Sequence, residues 1–252
     1  MSDTETTGAA APIFREIAAA QPAQTARTYA FQPIWTMTIV LLSLLGARLA
    51  LGAVKVVGLV MQLQFIRRAD AGDFSSAAQI HDAAALGDGL VQVTSVVDLL
   101  LLLASYVVGG MWIYRAACNV RGLGARGLET TPGWAVGWYA VPIMSLFRPF
   151  MAMSEIWRAS HDPQRWKSRP APPLLGFWWA SWIAINLSGA VVNAMSKETD
   201  TLSGLSDFAK VNLTFIVVDS VAIALFAAVV WRITRAQSAT RHMVDSVAEA
   251  FS

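Results

Sequence analysis

One cysteine, Cys118, stands in a chain of 252 residues. An internal disulfide is therefore excluded, and so are zinc and iron–sulfur sites built from several thiolates. Histidine is scarce too: His81, His161 and His242 are the only three, and all fall outside the apolar blocks. No pair of histidines is left to hold a haem inside a membrane. A glycine-rich nucleotide loop, a G-x-S-x-G elbow and an H-E-x-x-H metal motif are all missing. We accordingly expect no cofactor, no metal and no catalytic residue, and lean away from an enzyme. Charge is sparse, at 14% of residues against about 25% in ordinary globular chains. The net charge of +2 gives no reason to expect a nucleic-acid partner. The first thirty residues lack the basic start and short apolar run of a cleaved signal peptide. The first membrane helix is expected to act as an uncleaved insertion signal.

What the chain has is apolar sequence, 55% of residues, delivered in blocks. A membrane-crossing helix needs about 20 such residues. Four segments qualify: about Ile34 to Leu63, Leu90 to Tyr114, Leu174 to Met195 and Val211 to Trp231. Trp35, Trp112, Trp178, Trp179 and Trp231 lie near their ends, where amphipathic rings favour the headgroup zone. The chain divides into a polar N-terminal tail over 1–30, a membrane helical domain over 31–235 and a short C-terminal tail over 236–252. In that tail Val244, Val247, Ala248 and Phe251 follow an amphipathic helical spacing. Ile13, Phe14 and Ile17 hint at the same near the start. Cys118 lies at a membrane boundary, where lipidation is conceivable, although an inert small residue is the simpler reading.

Basic residues set the orientation. Arg115, Arg121 and Arg126 follow the second span, Arg158, Arg165, Lys167 and Arg169 precede the third, and Arg232, Arg235 and Arg241 follow the fourth. The other two connections carry Arg67 and Arg68 against Asp70, Asp73, Asp82 and Asp88, and Lys197 and Lys210 against Glu198, Asp200 and Asp207. The positive-inside rule then puts both termini and the middle connection in the cytoplasm.

Within that middle connection Trp134 to Phe147 is an uncharged run of 14 residues, too short for a plain span. Pro142 interrupts it, removing one helical hydrogen bond. We expect a short helix from Pro132 to about Val141 and a segment that dips in and returns or lies in the interface. The competing reading is a Pro-kinked fifth span. Gly133 and Gly137 form a G-x-x-x-G, and Trp134 and Trp138 share a helix face, so these residues with Pro142 are a candidate helix-contact motif.

Two polar groupings are candidate sites. Arg48, Lys55, Asp98 and Asp219 fall inside spans, where charge is costly and must find partners. Counting from the outer ends, Lys55, Asp98, Asn186 and Asp219 lie at similar depth. The network is either a neutral lock fixing helix register or an ion or proton path; we favour the lock. The second grouping is Arg115, Asn119, Arg148, Glu155 and Arg158, a polar cluster at the cytoplasmic face. It either satisfies exposed backbone or takes a phosphate or lipid headgroup, since Arg binds such oxygens well.

The stretch from Trp112 to Ser160 holds W-x-Y-R-A-x-x-N (Trp112 to Asn119), P-G-W-A-V-G-W (Pro132 to Trp138), R-P (Arg148, Pro149) and E-I-W-R-A-S (Glu155 to Ser160). These elements, in this order, resemble a widespread bacterial membrane-protein family labelled as a domain of unknown function. The resemblance runs over about Ile34 to Gln237, including "LLGFWWASW" and "VVWRITRAQ". It implies four transmembrane helices and one Pro-interrupted segment; we expect an all-α integral membrane protein of the bacterial inner membrane. The resemblance implies no known activity. The expectation is a non-catalytic accessory, scaffold or assembly subunit of a membrane complex, with membrane lipids and another membrane protein or itself as partners. The alternative is a small transporter or channel using the intramembrane charges.

Overall fold

A computed structural model describes residues 29–72, 77–195 and 201–250. Ile13, Phe14, Ile17 and Phe251, and the charges at Asp73, Lys197, Glu198 and Asp200, lie outside the described residues, as do the side chains of His81, Asp82, Asp88 and Ala248. All regular structure among the described residues is helical. In chain order these are α1 (Trp35–Asp70), α2 (Ala77–Gly122), α3 (Pro132–Gly137), α4 (Arg148–His161), α5 (Pro173–Met195) and α6 (Leu202–Ala250), with three short 3₁₀ turns.

Three described helical stretches are long and apolar enough to cross a membrane: Trp35–Arg68, Val93–Gly122 and Ser203–Val247. The helix α5 is 23 residues long and carries no charged side chain. The outward surfaces are apolar, with Ile39, Val57, Leu100, Leu103, Val107 and Leu187 all exposed. Thr38, Asn119, Thr234 and Gln237 are buried instead. Apolar outside and hydrogen-bonded polar inside is the arrangement lipid demands, because hydrocarbon offers no partner for a polar group.

The helices outrun the apolar blocks. The 46 residues of α2 would span about 69 Å, far beyond a hydrocarbon core of about 30 Å. Its first turns are alanine-rich, and alanine is the best helix former, so the helix starts at Ala77 rather than Leu90. Likewise α6 runs unbroken past residues 235 and 236 to Ala250 and carries Gln237 and Thr240 into the core. The region 236–252 thus begins as a continuation of the last long helix, with Val244 and Val247 exposed along it.

Helix α1 packs against α2 and α6, and α5 against α6. The core lies toward the ends holding Trp35, Gly122 and Arg235, around Leu41, Trp112, Met153, Leu175, Val230 and Ile233. Ala116, Ala117, Ala152 and Ala159 are buried there, small enough for backbones to approach closely. Gly122 is required by such an approach: a Cβ on it would lie 2.9 Å from the Tyr29 carbonyl oxygen and the Phe31 nitrogen. Trp112, Trp178 and Trp179 are buried in this core rather than ringing a headgroup zone. Trp231 remains 43% exposed and packs edge-on against Trp35.

The interrupted segment breaks where its prolines dictate. Thr131 caps α3, accepting from the Trp134 N–H at 3.4 Å, and Pro132 fills the first turn, where a missing N–H costs nothing. The α-helix ends at Gly137, short of Val141, and tightens to 3₁₀ over Trp138–Ala140. Val141 is extended, as a residue before proline prefers. Ile143 then turns the chain with φ +65° and ψ −52°, and the Met144 N–H donates to the Pro142 carbonyl oxygen at 2.7 Å. This is a γ-turn with positive φ on a β-branched residue, a strained conformation. A second 3₁₀ turn, Met144–Leu146, leads into α4. The longest helix in the run is thus six residues, about 9 Å.

Candidate functional site

The motif residues converge on two buried hydrogen-bonded groups, about two helical turns apart, at the crossing of α1, α2, α4 and α6. Trp112 Nε1 of α2 donates to Thr38 Oγ1 at 3.0 Å and to Thr234 Oγ1 at 3.3 Å, and the two hydroxyls are 2.8 Å apart. One turn pair further along, the Asn119 Oδ1 accepts from the Gln32 N–H at 2.9 Å. Its Nδ2 donates to the Gln32 carbonyl oxygen at 2.8 Å and to Gln237 Oε1 at 3.0 Å. Gln237 Nε2 donates to the Ala116 carbonyl oxygen and to Ser160 Oγ, both at 3.0 Å. Thr240 closes the set by donating to the Ser160 carbonyl oxygen at 3.0 Å. Thr38, Asn119, Ser160, Thr234 and Gln237 are all fully buried. Satisfied networks of this kind rigidify a core and fix one arrangement of its helices.

Glu155 holds a second junction. Its carboxylate accepts from the Glu129 N–H at 3.3 Å and the Thr130 N–H at 3.1 Å. From the other side Arg121 donates to the Thr130 carbonyl oxygen at 2.5 Å and to its own helix at Ala117, and it lies over the Tyr29 ring. The loop between α2 and α3 is thereby strapped to α4. Burial pushes the Glu155 carboxyl above the usual carboxylate range, and the two backbone N–H groups oppose that shift.

The five residues expected to form one cytoplasmic-face cluster occupy separate surroundings. Asn119 belongs to the buried network and Glu155 to the loop strap. The Arg148 guanidinium lies 5.4 Å from the Trp138 ring centroid. Arg158 has a buried Nε with no hydrogen-bond partner, and Arg115 is half-buried beside α3. Rows of residues four apart along a helix reach different neighbours once the helices cross, which disperses the group.

The helix-contact reading of G-x-x-x-G is also corrected. A Cβ on Gly133 would meet nothing within 4 Å, and the nearest atoms to one on Gly137 would be those of the Trp134 ring of its own helix. A helix of six residues is too short to offer two glycines to a neighbour. The tryptophans stack on each other instead, with centroids 4.4 Å apart, and Trp134 is 49% exposed. The turn after Pro142 is fixed from α5, where Trp179 Nε1 donates to the Leu146 carbonyl oxygen at 3.0 Å.

The intramembrane charges do meet. Arg48 of α1 reaches Asp219 of α6 at 3.1 Å and Asp98 of α2 at 3.5 Å, and Lys55 reaches Asp98 at 2.6 Å. Two cations and two carboxylates from three helices form a neutral set. Cover is incomplete: the side chains of Asp98 and Asp219 are 31% and 26% exposed, those of Lys55 and Arg48 24% and 11%. Asn186 stands apart; it is exposed and donates to the Trp182 carbonyl oxygen of its own helix at 2.8 Å.

Residues 75–238 match the family described as "Domain of unknown function (DUF4328)". The chain belongs to that family. No curated protein and no solved structure matches it. The DUF4328 match contains Trp112, Asn119, Glu155, Ser160, Thr234 and Gln237, but begins after α1, so Thr38, Arg48 and Lys55 lie outside it.

Sequence reasoning missed Arg121, Thr38, Thr234 and Gln237. A signal existed for the last three. An uncharged hydrogen-bonding side chain within or beside an apolar helical block must find a partner on another helix, just as a charge must.

Proposed function

We propose that this DUF4328 chain is a non-catalytic accessory, scaffold or assembly subunit of a membrane protein complex in the bacterial inner membrane. One observation carries the reading. Four polar residues of the motifs that distinguish the chain, Trp112, Asn119, Ser160 and Gln237, are buried and hydrogen-bonded within the core, and none of these four points a reactive atom at an open site. Such residues hold a shape for something else to use. The shape comprises four spans, α5 being the fourth by its length and lack of charge. Both termini and the α2–α5 connection lie in the cytoplasm by the distribution of Lys and Arg. The segment from α3 to α4 enters from that side and returns, as its short broken helices and the exposed Ile143, Met144 and Phe147 at its turn support. The apolar flanks of α1 and α2 serve lipid and a membrane partner.

Transport through the charged layer is the second reading, favoured by the partial exposure of Asp98 and Lys55. Mild-detergent extraction of the tagged chain from its native membrane, with mass spectrometry of the co-migrating proteins, tests the first. A stoichiometric membrane protein supports the subunit reading and a lone chain opposes it. Neutralising Asp98 and Asp219 tests the second: a folded protein that has lost an ion flux supports a pathway, and lost folding with no flux to lose supports a lock.

A further inference from the structure

A shallow groove of about 410 Å³ runs along α2 on the apolar outer surface of the bundle. It is open and is lined by Tyr106, Val107, Met111 and Arg115 of α2, with Met37 of α1 and Val136 of α3. Val136 packs over Gly110, where a Cβ would lie 3.4 Å from Val136 Cγ1, an ordinary contact distance. Tyr106, Val107 and Met111 are exposed apolar residues, and among the described residues no carboxylate pairs with Arg115.

We propose that this groove holds one anionic glycerophospholipid, with its phosphate on the Arg115 guanidinium and an acyl chain laid along α2 toward Tyr106. The dimensions and chemistry agree. Arg115 lies nine positions after Tyr106, about 13.5 Å of helix, close to the depth of one leaflet's hydrocarbon, about 15 Å. On that topology Arg115 is the first charge to follow the apolar run of α2, placing it at the level of a phosphate, and a guanidinium offers the planar fork that phosphate oxygens accept from. An unpaired cation at the end of an apolar trough selects for net negative charge at the head and alkyl chain below it. Through Val136 the lipid touches α3, so its occupancy bears on the interrupted segment. The proposal rests on the membrane topology given above, and its test does not depend on any protein partner.

The experiment is native mass spectrometry of the purified full chain, released from detergent with dioleoyl phosphatidylglycerol, dioleoyl phosphatidylcholine or inorganic phosphate. One phosphatidylglycerol is expected to be retained, in preference to phosphatidylcholine and undisturbed by phosphate. Arg115→Gln is expected to weaken retention by about tenfold, the loss of one charge-assisted interaction. Val107→Trp, at a position 64% exposed and free of core packing, fills the trough and is expected to weaken retention similarly with Arg115 intact. If Arg115→Gln fails to fold, Val107→Trp decides alone. Equal retention of both lipids, displacement by phosphate, or retention unchanged in Val107→Trp overturns the proposal. A failed co-extraction of a partner would leave this result standing, so the two readings fail separately.

Discussion

Replacing Gln237 by leucine tests the structural role of the buried network. The side chain makes three hydrogen bonds, to Asn119, Ala116 and Ser160, each 3.0 Å long, and has no exposed surface. At about 0.5–1.5 kcal/mol net per bond, their loss totals about 1.5–4.5 kcal/mol. The orphan penalty is partial. Asn119 keeps its bond to the Gln32 carbonyl, and Ser160 keeps its bond to Ile156. Leucine also returns some apolar transfer energy. We therefore expect a net destabilisation of about 2–3 kcal/mol. Equilibrium unfolding in mixed micelles, followed by tryptophan fluorescence, reads this directly. Because Asn119 and Gln237 share a bond, the Asn119→Leu, Gln237→Leu double variant should lose less than the sum of the singles by about 1 kcal/mol. A Gln237→Leu change under about 0.5 kcal/mol, with additive singles, would refute the reasoning.

Arg48→Met should cost about 3 kcal/mol, since it strands Asp219, whereas Lys55→Met should cost less because Asp98 keeps Arg48 at 3.5 Å; the same unfolding assay compares them. Glu155 gives a pH signature. Its carboxyl is raised by burial, so its contribution to stability is complete below the ordinary value of about 4.3 and is lost as pH rises through the higher folded value. Glu155→Gln removes that slope, and a wild-type-minus-variant difference that stays constant with pH contradicts it. Ile143→Gly relieves a positive φ that glycine adopts freely, and should raise unfolding stability by about 1 kcal/mol; a loss would mean the side chain contributes more than the strain costs.

The apolar centres of the long helices were legible because a membrane span is a composition before it is a structure. Their ends were not, since alanine-rich and polar flanks such as 77–89 continue a helix without a sustained apolar run. Depth counting brought Lys55, Asp98 and Asp219 together correctly, because a charge in hydrocarbon has few ways to be satisfied. The same counting misjudged Asn186, whose amide can turn back to a carbonyl four residues earlier and so needs no neighbour. Pro142 foretold the break in the middle segment. The wider five-residue cytoplasmic cluster failed because spacing along a helix does not say which crossing helix each residue meets. Gln237 was hidden by its position, in sequence that read as a tail but continues the longest helix into the core.

The most direct test of the central claim is the copy ratio between this chain and the most abundant membrane protein extracted with it, measured from native membranes in several mild detergents and in lipid nanodiscs. The account predicts a small whole-number ratio that holds across all of them. A chain that runs alone or only with copies of itself in every condition would contradict it.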